Sequence, residues 1–157
     1  MPYFYKDPNA PKPNRPDSLG VVALIERDGT FLLDRRVDDG RWGLVGGVVE
    51  SNESLADALR REVWEETGLT LRGYQLFGTF SDPSRIIQYP DGSIMRIVTL
   101  VYRVEVEDFS TLRCSAESTE MRFFSREELV ALDVVETHRH IVDCYLSAPT
   151  DGSVVLE

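Results

Sequence analysis

Apolar and polar positions alternate along several stretches of this chain in the way that β-strands require. Residues 19–27 and 30–36 are two such stretches, and Asp28-Gly29 between them is typical of a tight β-hairpin turn. The run from 94 to 106 is rich in β-branched residues and nearly alternates at its end. The pattern predicts strands at residues 19–27, 30–36, 73–80, 94–106 and 122–125.

A helical pattern covers residues 54–67, which contain no Gly or Pro and are rich in Leu, Ala, Arg and Glu. Ser54 can cap the N-terminus with Asp57 as its acidic partner, and Gly68 can end the helix with a positive φ. One side of this helix carries an apolar stripe of Leu55, Leu59 and Val63. Two shorter helices are predicted at 126–132 and 137–147. Because strands and helices interleave, residues 18–157 are expected to form one layered α/β (α+β) domain.

The first 17 residues have a different composition. Five of the eight prolines lie in this segment, which predicts an extended or loose conformation. It also contains Tyr3, Phe4 and Tyr5, an unusual set for a purely solvating tail. Residues 1–17 are therefore expected to be either a flexible terminus or an arm that packs on its own domain or on a partner subunit.

Acidic residues are crowded between Glu50 and Glu66, where six carboxylates occur together with two arginines. At about 100° per residue, the last three of these acids share one helical face: Glu62, Glu65 and Glu66. Like charges at these spacings repel each other, and Arg61 relieves only part of the repulsion by pairing with Glu65. A hard divalent cation such as Mg²⁺ would relieve the rest. The alternative is a solvated surface helix held by ordinary ion pairs.

The spacing of these residues resembles a known family motif. Every defined position of the Nudix box, Gly-x5-Glu-x7-Arg-Glu-U-x-Glu-Glu-x-Gly-U with U apolar, is met over the 23 residues from Gly47 to Leu69. The resemblance extends upstream to Trp42-Gly43-Leu44, although Val45 stands where many relatives carry proline. On these residues the chain resembles the Nudix hydrolases.

The resemblance implies a Nudix-type α/β/α sandwich with a central mixed sheet. It also implies hydrolysis, dependent on Mg²⁺ or Mn²⁺, of a nucleoside diphosphate linked to another group X. Gly47 matches the glycine whose carbonyl can bind metal, Glu53 matches an auxiliary ligand or its orienter, and Arg61 matches an arginine that holds a glutamate in place. The positions of the metal-binding glutamates are occupied by Glu62, Glu65 and Glu66.

The sequence leaves the general base and the substrate contacts open. Nudix relatives use either a glutamate of the box or one on a later loop, so the candidate bases here are Glu66, Glu117 and Glu120. The segment 81–93, rich in Pro, Gly and Asp, is predicted to be a specificity loop. Pro83, at 15 residues after Gly68, resembles the subgroup that acts on ADP-ribose. The candidate basic contacts to phosphate or X are Arg35, Arg36, Arg85 and Arg96.

The amino-acid composition argues against several classes of binding partner. The net charge of −10 argues against broad binding to nucleic acid or anionic membranes, which requires basic surface. No apolar run is long enough to span a membrane, and the N-terminus does not have the pattern of a secretory signal. Cys114 and Cys144 fit no metal or redox spacing, which favours free thiols in the cytoplasm. A homodimer stays open.

The favoured substrate is a small nucleotide, and among small nucleotides a nucleoside diphosphate sugar such as ADP-ribose. The first alternative is a house-cleaning pyrophosphatase that acts on nucleoside triphosphates. A non-catalytic nucleotide sensor is disfavoured by the intact carboxylate set. An RNA 5′-end pyrophosphohydrolase is disfavoured by the net negative charge of the chain.

Overall fold

A computed structural model describes all 157 residues of the chain. The strands, in chain order, are β1 (Tyr3–Phe4), β2 (Ser18–Arg27), β3 (Thr30–Arg36), β4 (Trp42–Gly43), β5 (Val45–Val48), β6 (Leu71–Phe80), β7 (Ile86–Gln88), β8 (Ile94–Val106), β9 (Ser118–Phe124) and β10 (Val155–Leu156). The helices are α1 (Leu55–Thr67), α2 (Arg126–Ala131) and α3 (Glu136–Ser147), and residues Phe109–Thr111 form a 3₁₀ turn. None of the helices combines the length and apolar character that crossing a bilayer requires.

The strands form a mixed sheet in which β2 and β8 lie side by side and run parallel. The order along its main path is β1-β7-β8-β2-β3-β4, while β5, β6 and β9 pair with β2, β8 and β3. Most of the other pairs are antiparallel, including the hairpin of β2 and β3. This arrangement confirms the mixed central sheet that the family resemblance implied.

Helices cover both faces of the sheet, and the sequence of β2 shows why. Every residue from Val21 to Ile25 is buried, so the strand is apolar on both faces rather than on one. Val22 and Leu24 pack in the core that includes Ile141 of α3. Val21, Ala23 and Ile25 pack in the second core, with Leu59 and Val63 of α1. The result is a sandwich of α1, the sheet, and the layer of α2 and α3.

The proline-rich arm packs on its own domain. Its strand β1 pairs antiparallel with β7, with Tyr3 opposite Ile87. The ring of Tyr5 stacks on His140 of α3 with 4.6 Å between ring centroids. The Asn14 side chain accepts from Ile94 N–H at 2.9 Å and anchors the far end of the arm. Of the two conformations that the sequence left open, the structure has the packed one.

Two boundaries predicted from sequence need correction. The segment 81–93 was predicted to be a loop, but it contains β7, which is held by β1 on one side and β8 on the other. The predicted strand 122–125 begins earlier, at Ser118, because the residues before Arg122 pair with β3. Both strands depend on partners far away in the sequence, which a local pattern does not reveal.

Candidate active site

The acidic face of α1 opens onto a cavity of about 380 Å³. Its wall is built from β2, β3, β5, β7, β8, α1 and α3, together with the first residues of the arm. Five carboxylates line it: Asp34, Glu62, Glu65, Glu66 and Glu117. The three glutamates that share one helical face therefore meet a common space, as their spacing predicts.

Local signals in the sequence fix the helix that carries these glutamates. Ser54 and Asp57 form a reciprocal capping box, in which Ser54 Oγ accepts from Asp57 N–H at 3.1 Å. Gly68 ends the helix with φ 71° and donates its N–H to Trp64 O at 2.8 Å. Leu59 and Val63 are fully buried against the sheet. Their burial holds the helix in one orientation, so the direction of the face that carries the glutamates is also fixed.

Glu66 is the most strongly perturbed acid in the cavity. Burial, together with the nearby carboxylates of Asp34 and Glu62, raises its pKa to about 9. Gly46 N–H donates to Glu66 Oε2 at 3.1 Å, which favours the ionised form but does not outweigh burial. Without a cation, this carboxyl group is therefore protonated at neutral pH.

Glu62 lies against the backbone of Gly47. A Cβ atom on Gly47 would be 2.5 Å from Glu62 Cδ, so only glycine permits this approach. Burial raises the pKa of Glu62, while the Arg61 guanidinium, 2.7 Å from Glu62 Oε1, opposes that shift. This cavity wall thus brings a glycine backbone and a carboxylate together.

Arg61, which also lines the cavity, is the centre of an ion-pair network. It donates through Nε and Nη2 to the two oxygens of Glu53, at 2.9 and 2.6 Å. It also donates to Val48 O at 3.1 Å, and its Nη1 lies 3.2 Å from Glu65 Oε2, the pair predicted from the i, i+4 spacing. The guanidinium lowers the pKa of Glu53 to about 2. Glu53 is therefore ionised and serves to hold the arginine.

Asp34 is a cavity residue that sequence reasoning missed. It is 8% exposed, and Ser118 Oγ donates to its Oδ2 at 2.7 Å. Burial raises its pKa in spite of that hydrogen bond. The signal in the sequence is an acid that directly follows the apolar residues Phe31–Leu33, but its partner Ser118 lies on β9 and cannot be assigned from β3 alone.

Two further cavity residues were not singled out as site residues: Tyr3 of the arm and His138 of α3. Their ring centroids are 6.3 Å apart. The guanidinium carbon of Arg36 lies over the Tyr3 ring, 5.1 Å from the ring centroid. Burial raises the pKa of Tyr3 to about 12. The aromatic content of the arm was a visible signal, whereas nothing in the sequence alone indicates that α3 reaches the cavity.

The structure separates the two candidate bases that follow the box. Glu117 lines the cavity, where it faces the same space as Glu66. Glu120 does not line it and lies 4.0 Å from Arg35 Nη1 on the outer side of β9. Of these two candidate bases, Glu117 is therefore the one that faces the cavity.

The four candidate arginines also separate by position. Arg36 lines the cavity, while Arg35 donates to Gly40 O at 2.9 Å. Arg96 pairs with Asp17 at 2.8 Å and is not part of the cavity wall. Arg85 is fully buried, without a hydrogen-bond partner for its guanidinium, and burial lowers its pKa. Arg36 is therefore the candidate that a phosphate in this cavity could contact.

The residues around the cavity fit a hard divalent cation. No three acidic, His or Cys side chains form a preassembled metal cage. Mg²⁺ does not need one, because it is held by one or two carboxylates together with waters and substrate phosphates. Glu62 and Glu66 are partly buried and both have raised pKa values, although Arg61 contacts Glu62, and Gly47 lies directly beside Glu62. The candidate ligands are Glu62, Glu65, Glu66 and the Gly47 carbonyl.

The sequence of the chain is similar to those of known proteins. A family model described as NUDIX domain matches residues 14–144. A MutT-like protein from Streptomyces ambofaciens is 34% identical over 113 residues, which cover 71% of this chain and 66% of that protein. The nucleoside triphosphatase NudI from Escherichia coli is 45% identical over 78 residues, which cover 46% of this chain and 55% of that protein. The chain thus spans between about half and two thirds of the length of these relatives.

A solved structure shows the same fold. It is a bifunctional NMN adenylyltransferase/ADP ribose pyrophosphatase from Francisella tularensis, complexed with AMP and a Mn ion. The match has a TM-score of 0.65 and 21% identity, and it covers 86% of this chain and 42% of that one. At this identity the likeness concerns the fold alone.

Proposed function

The chain belongs to the NUDIX domain family, and on that premise we propose that it is a Mg²⁺-dependent pyrophosphohydrolase of small nucleotides. The bond that it cleaves is the anhydride between two phosphates of a nucleoside diphosphate linked to a group X. The observation that carries the proposal is the meeting of Glu62 and Glu66 with the backbone of Gly47 in one cavity. Mn²⁺ is the proposed substitute for Mg²⁺.

Each residue of the cavity has a proposed task in this reaction. Glu62, Glu65 and Glu66 would hold the cation, which supplies charge neutralisation of the phosphates and acidifies a bound water. Glu53 and Arg61 position those carboxylates, since Arg61 contacts two of them directly. Together these residues keep the acidic face of α1 in one geometry before the substrate arrives.

The proton of the attacking water needs an acceptor. Glu117 lines the same cavity as the acidic face of α1, so we assign it as the general base. The water oxygen forms a bond to phosphorus, its proton passes to Glu117, and the bond to the bridging oxygen breaks. We also assign Arg36 to contact the phosphate oxygens, and its position in the wall of the same cavity supports this assignment.

The two proposed substrate classes differ in the group X. The position of Pro83 pointed to a nucleoside diphosphate sugar such as ADP-ribose, but Pro83 is exposed and lies outside the cavity wall. NudI, named as a nucleoside triphosphatase, matches this chain at 45% identity. That likeness favours a nucleoside triphosphate, with pyrophosphate as the leaving group. ADP-ribose is retained as the second candidate.

A hydrolysis panel tests the proposed function. The substrates are the nucleoside triphosphates, ADP-ribose and other sugar nucleotides, and 5′-triphosphate RNA, each with Mg²⁺ or Mn²⁺ and with products separated by chromatography. We expect a nucleoside monophosphate as product from at least one small nucleotide, and loss of that turnover in Glu66→Gln. Arg72→Gln, at an exposed ion pair on β6, is the matched surface control. Absence of turnover for every small nucleotide would contradict the proposal.

A further inference from the structure

His138 presents a hydrogen-bond donor to the cavity that no group of the protein uses. It lies in the first turn of α3, and its Nδ1 accepts a hydrogen bond from Leu44 N–H at 3.0 Å. A ring nitrogen that accepts such a bond carries no proton, so the proton of the neutral ring lies on Nε2. The tautomer of His138 is thus fixed by the backbone, and Nε2–H has no acceptor within the protein.

The ring stays neutral because of its surroundings. Burial, together with the positive charges of Arg85 and Arg36, lowers the pKa of His138 to about 3. The groups around it include Asp34, whose side chain and the His138 ring both come within 3.4 Å of a Cβ built on Gly43. The ring therefore remains a donor at Nε2 and an acceptor at Nδ1 over the physiological pH range.

His138 lines a part of the cavity whose residues are less acidic than those on the face of α1. Thr99 and Thr137, at 3% and 2% exposure, are the buried threonines of its wall, and Ile97 adds apolar surface. A Cβ on Gly20 would lie 3.4 Å both from Gly47 O and from Ile97 Cδ1, so this part directly adjoins the candidate metal ligands. An apolar pocket with a few convergent polar groups suits a flat heterocycle.

We infer that His138 selects the nucleobase of the substrate by donating its Nε2–H to an acceptor atom on the edge of the base. This inference rests on the proposed function, which places the phosphates at the acidic face of α1 and leaves the rest of the nucleotide to enter the adjoining pocket. A fixed donor favours a carbonyl oxygen or an unprotonated ring nitrogen at that edge. It rejects an amino group there, because two donors would face each other without an acceptor between them. His138 is accordingly a specificity residue and takes no part in the chemical step.

Two substitutions separate this role from a structural one. His138→Asn places an amide oxygen where Nδ1 is, so Leu44 N–H keeps its acceptor, but the shorter side chain does not reach the position of Nε2. His138→Gln places an amide donor near the position of Nε2. The first variant should keep the fold and lose base selection, and the second should keep base selection.

The measurement is calorimetric binding of AMP, GMP, CMP and UMP in the presence of Mg²⁺, with melting temperatures recorded for each variant. In the unmodified protein we expect dissociation constants that differ by about tenfold or more between the preferred and the least preferred base. In His138→Asn we expect the spread to fall to about threefold or less, whereas His138→Gln retains most of it. Equal affinities in the unmodified protein, no binding of any of the four, or an unchanged spread in a folded His138→Asn would overturn the inference.

A second readout uses the unmodified protein and does not depend on a variant. In a ¹H–¹⁵N correlation NMR spectrum, the chemical shift of the His138 Nε2 proton should change when the preferred monophosphate binds. An unchanged chemical shift would also overturn the inference. Neither readout involves hydrolysis. Selective binding through His138 without any turnover would therefore refute the proposed function and leave this inference standing.

Discussion

Gly47 and Glu62 are packed so closely that no side chain fits between them. A Cβ on Gly47 would lie 2.5 Å from Glu62 Cδ, well inside van der Waals contact. Glu62 is also held by Arg61 at 2.7 Å, so it cannot move away without losing an ion pair. The glycine therefore keeps its own carbonyl and a carboxylate beside the same cavity.

Gly47→Ala should displace the Glu62 carboxyl group and lower kcat/KM by about 100-fold, since a displacement of about 1 Å in an active site has effects of this size. Gly73→Ala is the matched control, because a Cβ there would lie at an ordinary 3.6 Å from Glu105 Oε2. Steady-state hydrolysis and Mg²⁺ titration of both variants provide the test. Equal activities in the two variants would show that the approach of Glu62 to Gly47 is not required.

The raised pKa of Glu66 predicts a pH dependence of stability in the metal-free protein. Its pKa rises from 4.5 to about 9 on folding, so the folded state favours the protonated form. That contribution to stability is complete below the unfolded pKa and is lost as pH rises through the folded pKa. In EDTA, the melting temperature of the protein should fall between about pH 5 and pH 9, and Glu66→Gln, which stays neutral, should show a smaller fall.

Mg²⁺ should reverse this loss at high pH, because the cation takes the place of the proton on Glu66. Its apparent affinity should rise by up to about tenfold per pH unit below the raised pKa, as expected when one proton is released on binding. Melting curves at several Mg²⁺ concentrations measure this directly. Parallel pH profiles for the protein and Glu66→Gln would refute the assignment of the titration to Glu66.

The bidentate pair of Arg61 with Glu53 predicts that lysine cannot replace this arginine. The Arg61 guanidinium contacts both oxygens of Glu53 and, at the same time, Glu62. Arg61→Lys keeps the positive charge, but the lysine ammonium cannot make all of these contacts at once. Metal affinity and kcat/KM should each fall by about 10- to 100-fold, the range for residues that orient metal ligands. Arg60→Lys is the control, because its pair with Asp57 is exposed and spans 3.8 Å. Similar losses in both variants would mean that the pairing geometry is unimportant.

The sequence was sufficient for α1 and its acidic face because the signals are local. Ser54, Asp57 and Gly68 define the two ends within one short stretch, and the structure has a capping box and a left-handed residue at those places. The spacing of Arg61 and Glu65 likewise predicted a contact that requires only a helix. Residues on one helical face remain together whatever the rest of the chain does.

The other half of the cavity could not be predicted because it depends on contacts between distant segments. Tyr3 reaches the cavity through the pairing of β1 with β7, and His138 reaches it because α3 packs against that side of the sheet. Asp34 becomes notable once Ser118 on β9 is seen beside it. For the same reason the sequence could not rank Glu117 above Glu120, which are only three residues apart.

Glu117→Gln should lower kcat by about 10²- to 10⁴-fold with little change in Mg²⁺ affinity, because the amide cannot take a proton from water. Glu120→Gln is a close control: it lies three residues further along the chain, on β9, and pairs with Arg35 outside the cavity. Single-turnover kinetics of the two variants distinguish loss of chemistry from loss of binding. If Glu120→Gln had the larger effect, the assignment of the base to Glu117 would be wrong.

The arm supplies the last prediction, through two tyrosines that are two residues apart and have different surroundings. Tyr3 lines the cavity beneath the Arg36 guanidinium, whereas Tyr5 stacks on His140 and does not line it. Tyr3→Ala should raise KM by about three- to tenfold and change kcat little, since an aromatic wall contributes to binding rather than to the chemical step. Tyr5→Ala removes a comparable aromatic contact of the arm and should leave KM unchanged. An equal rise in KM for both variants would indicate that the arm acts by its docking as a whole, and that Tyr3 itself does not contact the substrate.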